Sequence, residues 1–146
     1  MGPVWKVDKV GGLMNKEVRW QQRFQNLEKA FAQLEKSVRI VTLSDTERAG
    51  MIQFFELTFE LAWKTLKDFL ESQGFQVKTP RETLKQAYQI DLIKDGQLWM
   101  QALEDRNLTS HTYDEATSLK VEHLIRENYF PLLKNLVQTL NSKKDL

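Results

Sequence analysis

Two side chains in one short stretch are of types suited to work on a phosphodiester, Arg106 and His111, with Tyr113 two residues on. Histidine titrates near neutral pH and can take a proton from a ribose 2′-OH or give one to a leaving oxygen. Arginine holds a phosphate bidentately and offsets charge that develops in the transition state. That pairing needs no metal. With no cysteine and only two histidines, His111 and His123, no metal and no cofactor is expected. The spacing imposes a geometric condition. Five residues on a straight α-helix rotate by about 500°, or roughly 140° net, which aims Arg106 and His111 apart. Thr109, Ser110, Thr112 and Asp114 end and cap helices, so a break is expected there. Arg106 would then project from a helix end and His111 from the connection. A second copy around a two-fold axis is another route to the same pair. Spacing alone also allows a surface arrangement without chemistry, with Arg106 paired to Glu104 or Asp105, His111 in a helix cap and Tyr113 half-buried.

The elements that must position this stretch are helical. Val18, Phe24, Leu27, Phe31, Leu34 and Val38 recur at three- and four-residue steps, predicting a first helix over about Asn15 to Arg39. Ser44 and Glu47 have capping-box spacing, which starts a second helix running to Gln73 and stopping at Gly74. Thr79-Pro80-Arg81-Glu82 starts a third, reaching about Gln89. A loop from Asp91 to Gly96 precedes a fourth helix over Gln97 to Leu108. Asp114 caps a last helix from Glu115 to about Leu140, with Leu119, Leu124, Ile125, Leu132, Leu133, Leu136 and Leu140 inward and a kink at Pro131. No strand pattern appears. The fold class expected is therefore all-α, an up-and-down bundle of about five helices. Residues 1–13 read as a loose leader, 14–142 as one domain and 143–146 as a solvated tail.

The second helix is apolar over most of its circumference, as a central or covered helix is. Phe54, Phe55, Phe59, Trp63 and Phe69 read as core or dimer interface, not as a base-stacking platform. Its polar stripe, Gln53, Glu56, Glu60, Lys64 and Lys67, has two readings: helix salt-bridging, or a wall in which Glu56 and Glu60 face the Arg106/His111 site. His123 sits inside an amphipathic helix and reads as structural.

Composition narrows the function classes. The 146 residues are 41% hydrophobic and 28% charged, as in a globular domain. A net charge of +1 from 21 basic and 20 acidic residues argues for a narrow cleft, not an extended nucleic-acid groove. No membrane span and no signal-type apolar stretch is visible, so the expected location is cytoplasmic, with no membrane partner.

Arg106-Asn107-Leu108-Thr109-Ser110-His111-Thr112-Tyr113 fits the pattern R-x4-H-x-Y. It resembles the signature of the HEPN domains, specifically the HepT-like toxins and the related nucleotidyltransferase substrate-binding proteins. The run Phe54 to Lys67 is similar to that family's long second helix, and Thr79-Pro80-Arg81-Glu82 and Asp95-Gly96-Gln97-Leu98-Trp99 are similar to further family segments. The resemblance implies a helical bundle that forms homodimers in which the Arg/His motifs of both chains meet in a cleft. It implies a metal-independent ribonuclease within a toxin–antitoxin pair, with Arg106 and His111 catalytic. Asn107, Thr109 and Ser110 would add hydrogen bonds. It implies as partner a minimal nucleotidyltransferase, MNT, able to transfer AMP to Tyr113. The alternative it carries is a non-catalytic nucleotide- or substrate-binding subunit of that transferase. A purely structural interaction domain is the remaining reading of the residues themselves.

Overall fold

A computed structural model describes residues 9–144, with side chains from Asn15 onward. The chain order is α1 (Lys9–Val38), α2 (Asp45–Ser72), α3 (Pro80–Gln89), α4 (Gly96–Asp105), a 3₁₀ turn (Arg106–His111), α5 (Glu115–Leu124), a π turn (Ile125–Tyr129) and α6 (Phe130–Asn141). Among the described residues there is no strand. The all-α bundle of five helices is thus present, its last helix divided into α5 and α6.

Local sequence explains most boundaries. Both capping boxes form: Ser44 with Glu47 at α2, and Thr79 with Glu82 at α3, where Pro80 occupies the first turn. Gly74, at φ +95°, closes α2. The Gly74 N–H donates to the Glu71 carbonyl and the Phe75 N–H to the Leu70 carbonyl, which satisfies two carbonyls the helix would leave orphaned.

α2 lies against α1 on one side and α3, α5 and α6 on others. Its buried stripe includes Met51, Phe55, Phe59, Ala62, Leu66 and Leu70. Phe55, Phe59 and Phe69 are core residues, while Phe54 and Trp63 are partly buried against that core. The α1 stripe runs Trp20, Phe24, Leu27, Phe31, Leu34. Arg23 on α1 pairs with the buried Asp68 on α2 at 2.5 Å, joining the two long helices by a charge-assisted hydrogen bond.

Several expectations need correcting. α1 extends back to Lys9, so residues 9–13 of the expected leader are helical, each lengthening an existing helix by one hydrogen bond; residues 1–8 lie outside the described residues. Val18 and Leu119, placed inward by periodicity, are about half exposed, at 53% and 47%. Trp20 and Val121 are buried in their neighbourhoods instead. α4 ends at Asp105, three residues early. At Pro131, where a kink was expected, the last helix is interrupted by a π turn. The proline's missing N–H leaves no i+4 donor for the Glu127 carbonyl, and the helix widens so that the Phe130 N–H reaches the Ile125 carbonyl. In the tail, Lys143 and Lys144 are half-buried, with Lys144 Nζ lying 5.8 Å from the Phe24 ring centre; residues 145–146 lie outside the described residues. No helix of the described residues is long and apolar enough to cross a membrane.

Candidate functional site

The stretch from Arg106 to Tyr113 joins α4 to α5. The expected break takes the form of a tight 3₁₀ turn, and its own hydroxyls build it. The Thr109 hydroxyl donates to the Arg106 carbonyl at 2.6 Å, Ser110 to the Asn107 carbonyl at 2.8 Å, and Thr112 to the Thr109 carbonyl at 3.3 Å. Each bond satisfies a carbonyl three residues back, which favours the tighter spiral. The turn ends where Asp114 caps α5 by accepting from the Thr117 N–H at 3.0 Å and the Thr117 hydroxyl at 2.7 Å. These bonds hold the Asp114 carboxyl below its ordinary range. Ser118 on α5 donates back to the Thr112 carbonyl at 2.8 Å. The α5 flank of the turn is therefore fixed.

Arg106 leaves the end of α4 and crosses to α2. Its Nη1 donates to Glu60 Oε1 at 3.2 Å, and the other oxygen of that carboxylate lies 3.5 Å from Lys64 Nζ. Arg106 and Glu60 are each partly exposed, so the pair is weak and an anion from solvent can compete for the guanidinium. Of the two carboxylates expected to face the site, Glu60 meets Arg106, while Glu56 is exposed one turn earlier on α2. Neither Glu104 nor Asp105 pairs with Arg106. Asp105 instead accepts from the buried Tyr129 hydroxyl, a contact periodicity did not reveal. The signal available for Tyr129 was its place in the inward series Val121, Ile125, Leu132, Leu133.

His111 is exposed at the end of the 3₁₀ turn. The Tyr113 ring lies edge-on to it, 6.1 Å between centres at 70°. Tyr113 is 81% exposed, not half-buried. Thr109 is buried, and its hydroxyl donates within the turn. Asn107 and Ser110 are exposed on the turn. His123 is exposed on α5. Among the described residues no group of three or more His, Asp or Glu side chains comes together to hold a metal. A groove of about 820 Å³ between α3 and α4 is lined by residues such as Leu84, Lys85, Tyr88, Met100 and Glu104, and not by Arg106, His111 or Tyr113. His111 and Tyr113 stand on open surface, and Arg106 is partly exposed beside Glu60.

Residues 22–142 match the family described as nucleotidyltransferase substrate binding protein like, and the chain belongs to that family. It is 31% identical over 111 residues to a Haemophilus influenzae protein named Probable ribonuclease HepT, covering 65% of this chain and 76% of that one. Two solved structures share the fold. One, from Thermus thermophilus, is 30% identical with a TM-score of 0.69, over 82% of this chain and 99% of the other. The second, from Haemophilus influenzae, is described as the fold of a substrate binding domain of a nucleotidyltransferase. It is 28% identical with a TM-score of 0.70, over 81% of this chain and 98% of the other.

Proposed function

We propose that this protein is a HepT-like ribonuclease acting as a homodimer and regulated by a partner nucleotidyltransferase. The observation that carries the reading is the α4–α5 turn itself. It presents an exposed imidazole, a guanidinium held only by a partly exposed carboxylate and an exposed phenol within eight residues. In the proposed reaction His111 takes the proton of a ribose 2′-OH, and the 2′-oxygen attacks phosphorus. The bond to the 5′-oxygen breaks, and that oxygen leaves with a proton supplied by the imidazolium of the second copy or by water. Arg106 stabilises the charge on the phosphorane oxygens, with Glu60 as its resting partner. Products end in a 2′,3′-cyclic phosphate and a 5′-OH. The single chain leaves His111 exposed and Arg106 partly so, and a second copy across the turn would enclose the phosphate.

Control follows from the exposure of Tyr113. A nucleotidyltransferase using ATP would place AMP on its hydroxyl, with pyrophosphate leaving. The new phosphate would lie beside His111, where it would obstruct an incoming substrate phosphate. The relative named as a ribonuclease supports the cleavage reading. The family description and the relative described as a substrate binding domain favour a second one, in which the same surface presents a substrate to the transferase without cleavage.

The test is cleavage of bulk tRNA and mRNA with EDTA present, comparing wild type, His111→Ala and Arg106→Ala. The nuclease reading expects a loss of about 10²–10⁴-fold in His111→Ala. Absence of cleavage by folded wild type whose mass shows Tyr113 unmodified sinks that reading in favour of the second.

A further inference from the structure

The π turn between α5 and α6 has a use beyond accommodating Pro131. Wide turns of this kind recur at functional sites, and this one buries Ile125 and Tyr129, of which only Tyr129 carries a polar group into the bundle. The chain has three tyrosines. Tyr88 and Tyr113 are 53% and 81% exposed, whereas Tyr129, the last residue of the π turn, is 1% exposed. Its ring stacks on Phe55 of α2 with centres 5.6 Å apart and planes at 18°. Its hydroxyl donates to the carboxylate of Asp105, across 24 residues of sequence. Burial and the neighbouring carboxylate push the phenol well above its ordinary value, so it remains a donor at any physiological pH.

Asp105 is the residue immediately before Arg106. Among the described residues its carboxylate has no basic group within 4.0 Å, and Arg106 pairs with Glu60 alone. Glu60 is also shared with Lys64, so the three groups together carry one net positive charge. A second carboxylate at Arg106 would cancel that charge, and an incoming phosphodiester would have to displace two anions.

We infer that Tyr129 is a positioning residue for anion binding at Arg106: its hydroxyl anchors the Asp105 carboxylate in the core side of α4 and keeps it from neutralising the guanidinium. This inference rests on the reading of Arg106 as a phosphate-binding group. Removing the hydroxyl leaves a partly buried carboxylate without its donor, one residue before the Arg106 guanidinium. Anion affinity therefore falls although neither Arg106 nor His111 has changed. Neutralising Asp105 in the same chain removes the competitor and returns the affinity. A tyrosine that merely stabilised the bundle would not be rescued this way, because the asparagine does not rebuild the lost bond to a phenylalanine.

The experiment measures binding of a 2′-O-methylated single-stranded RNA, which cannot be cleaved by 2′-OH attack. The proteins are wild type, Tyr129→Phe, Asp105→Asn and the double variant, each with its melting temperature recorded. Tyr129→Phe should bind about three- to fivefold more weakly, the size expected of one added ion pair at a partly exposed site. The double variant should bind within about twofold of wild type on the same scale. Asp105→Asn, which keeps an acceptor for the Tyr129 hydroxyl, should bind at least as tightly as wild type. This last variant decides the matter should Tyr129→Phe not fold. Wild-type affinity in Tyr129→Phe, no recovery in the double variant, or weaker binding by Asp105→Asn overturns the inference while leaving the ribonuclease reading standing. Failure of the wild type to bind the RNA removes both.

Discussion

Glu122 sits between two arginines, and its removal is the sharpest test of how α5 is held against the corner between α1 and α2. Its Oε1 accepts from Arg48 Nε at 2.7 Å and its Oε2 from Arg126 Nε at 2.8 Å. Arg126 also donates to the carbonyls of Val38 at 2.8 Å and Ile40 at 2.6 Å. One carboxylate thus ties α5 to the corner between α1 and α2. The side chains of Glu122, Arg48 and Arg126 are 16%, 12% and 20% exposed. Removing one member of a fully buried pair costs about 3–5 kcal/mol and of an exposed pair about 0–1 kcal/mol. This network keeps some contact with water, so Glu122→Gln should cost about 2–3 kcal/mol. For a domain of this size that is a fall in melting temperature of about 5–10 °C. Glutamine keeps the packing, which leaves charge and hydrogen bonding as the variable.

The pH dependence gives a second, independent check. Burial raises the Glu122 carboxyl, but the two arginine hydrogen bonds and charges outweigh it and hold the group below its ordinary value of 4.5. A group depressed in the folded state stabilises above its unfolded pKa and loses that contribution as pH falls through the folded value. The gap between wild type and Glu122→Gln should therefore be full at neutral pH and shrink in acid below about 4.5. Thermal melts by circular dichroism at both ends measure it. A neutral-pH difference under about 2 °C, or a gap that widens in acid, refutes the reasoning.

Other outcomes follow from single features. Gly50 lies inside α2 with nothing within 4 Å of a Cβ built there, so Gly50→Ala should raise stability by about 0.5–1 kcal/mol in denaturant titrations. Gly74, at φ +95°, should respond oppositely, with Gly74→Ala losing about 1–2 kcal/mol. Asp114→Ala should lower the melting temperature at neutral pH. Because the Asp114 carboxyl is depressed by Thr117, that loss should fade as pH drops below the usual carboxylate range. Tyr113→Phe should melt like wild type, since the ring is 81% exposed, yet take up no adenylate from a cognate transferase by mass spectrometry.

Local codes were legible in the sequence and tertiary partners were not. Ser44 with Glu47, Thr79 with Glu82 and Asp114 each act within one turn, so their spacing alone reveals them. The hydroxyl-rich run after Arg106 announced a break, but its shape depends on which carbonyl each hydroxyl chooses, and that choice made a 3₁₀ turn. Val18 and Leu119 failed because a three- or four-residue step fixes an apolar stripe only to within about a residue, and Trp20 and Val121 bury more surface. The Arg106–Glu60 pair spans 46 residues, and the choice of Glu60 over Glu56 depends on the rotation of α2 against α4. Tyr129 was invisible as a partner of Asp105 because only the widened turn before Pro131 aims it there.

The open placement of the α4–α5 turn has a kinetic consequence. Arg106, His111 and Tyr113 lie where a facing surface can close over them, and a second copy of the turn would supply one. An enclosure made by association exists only as long as the two halves stay together. The rate per molecule then falls on dilution below the dissociation constant of the pair, and total rate grows as the square of concentration in that range. Such a protein would be quiet when scarce and abruptly effective once it accumulates, a threshold set by mass action before any modifying enzyme intervenes.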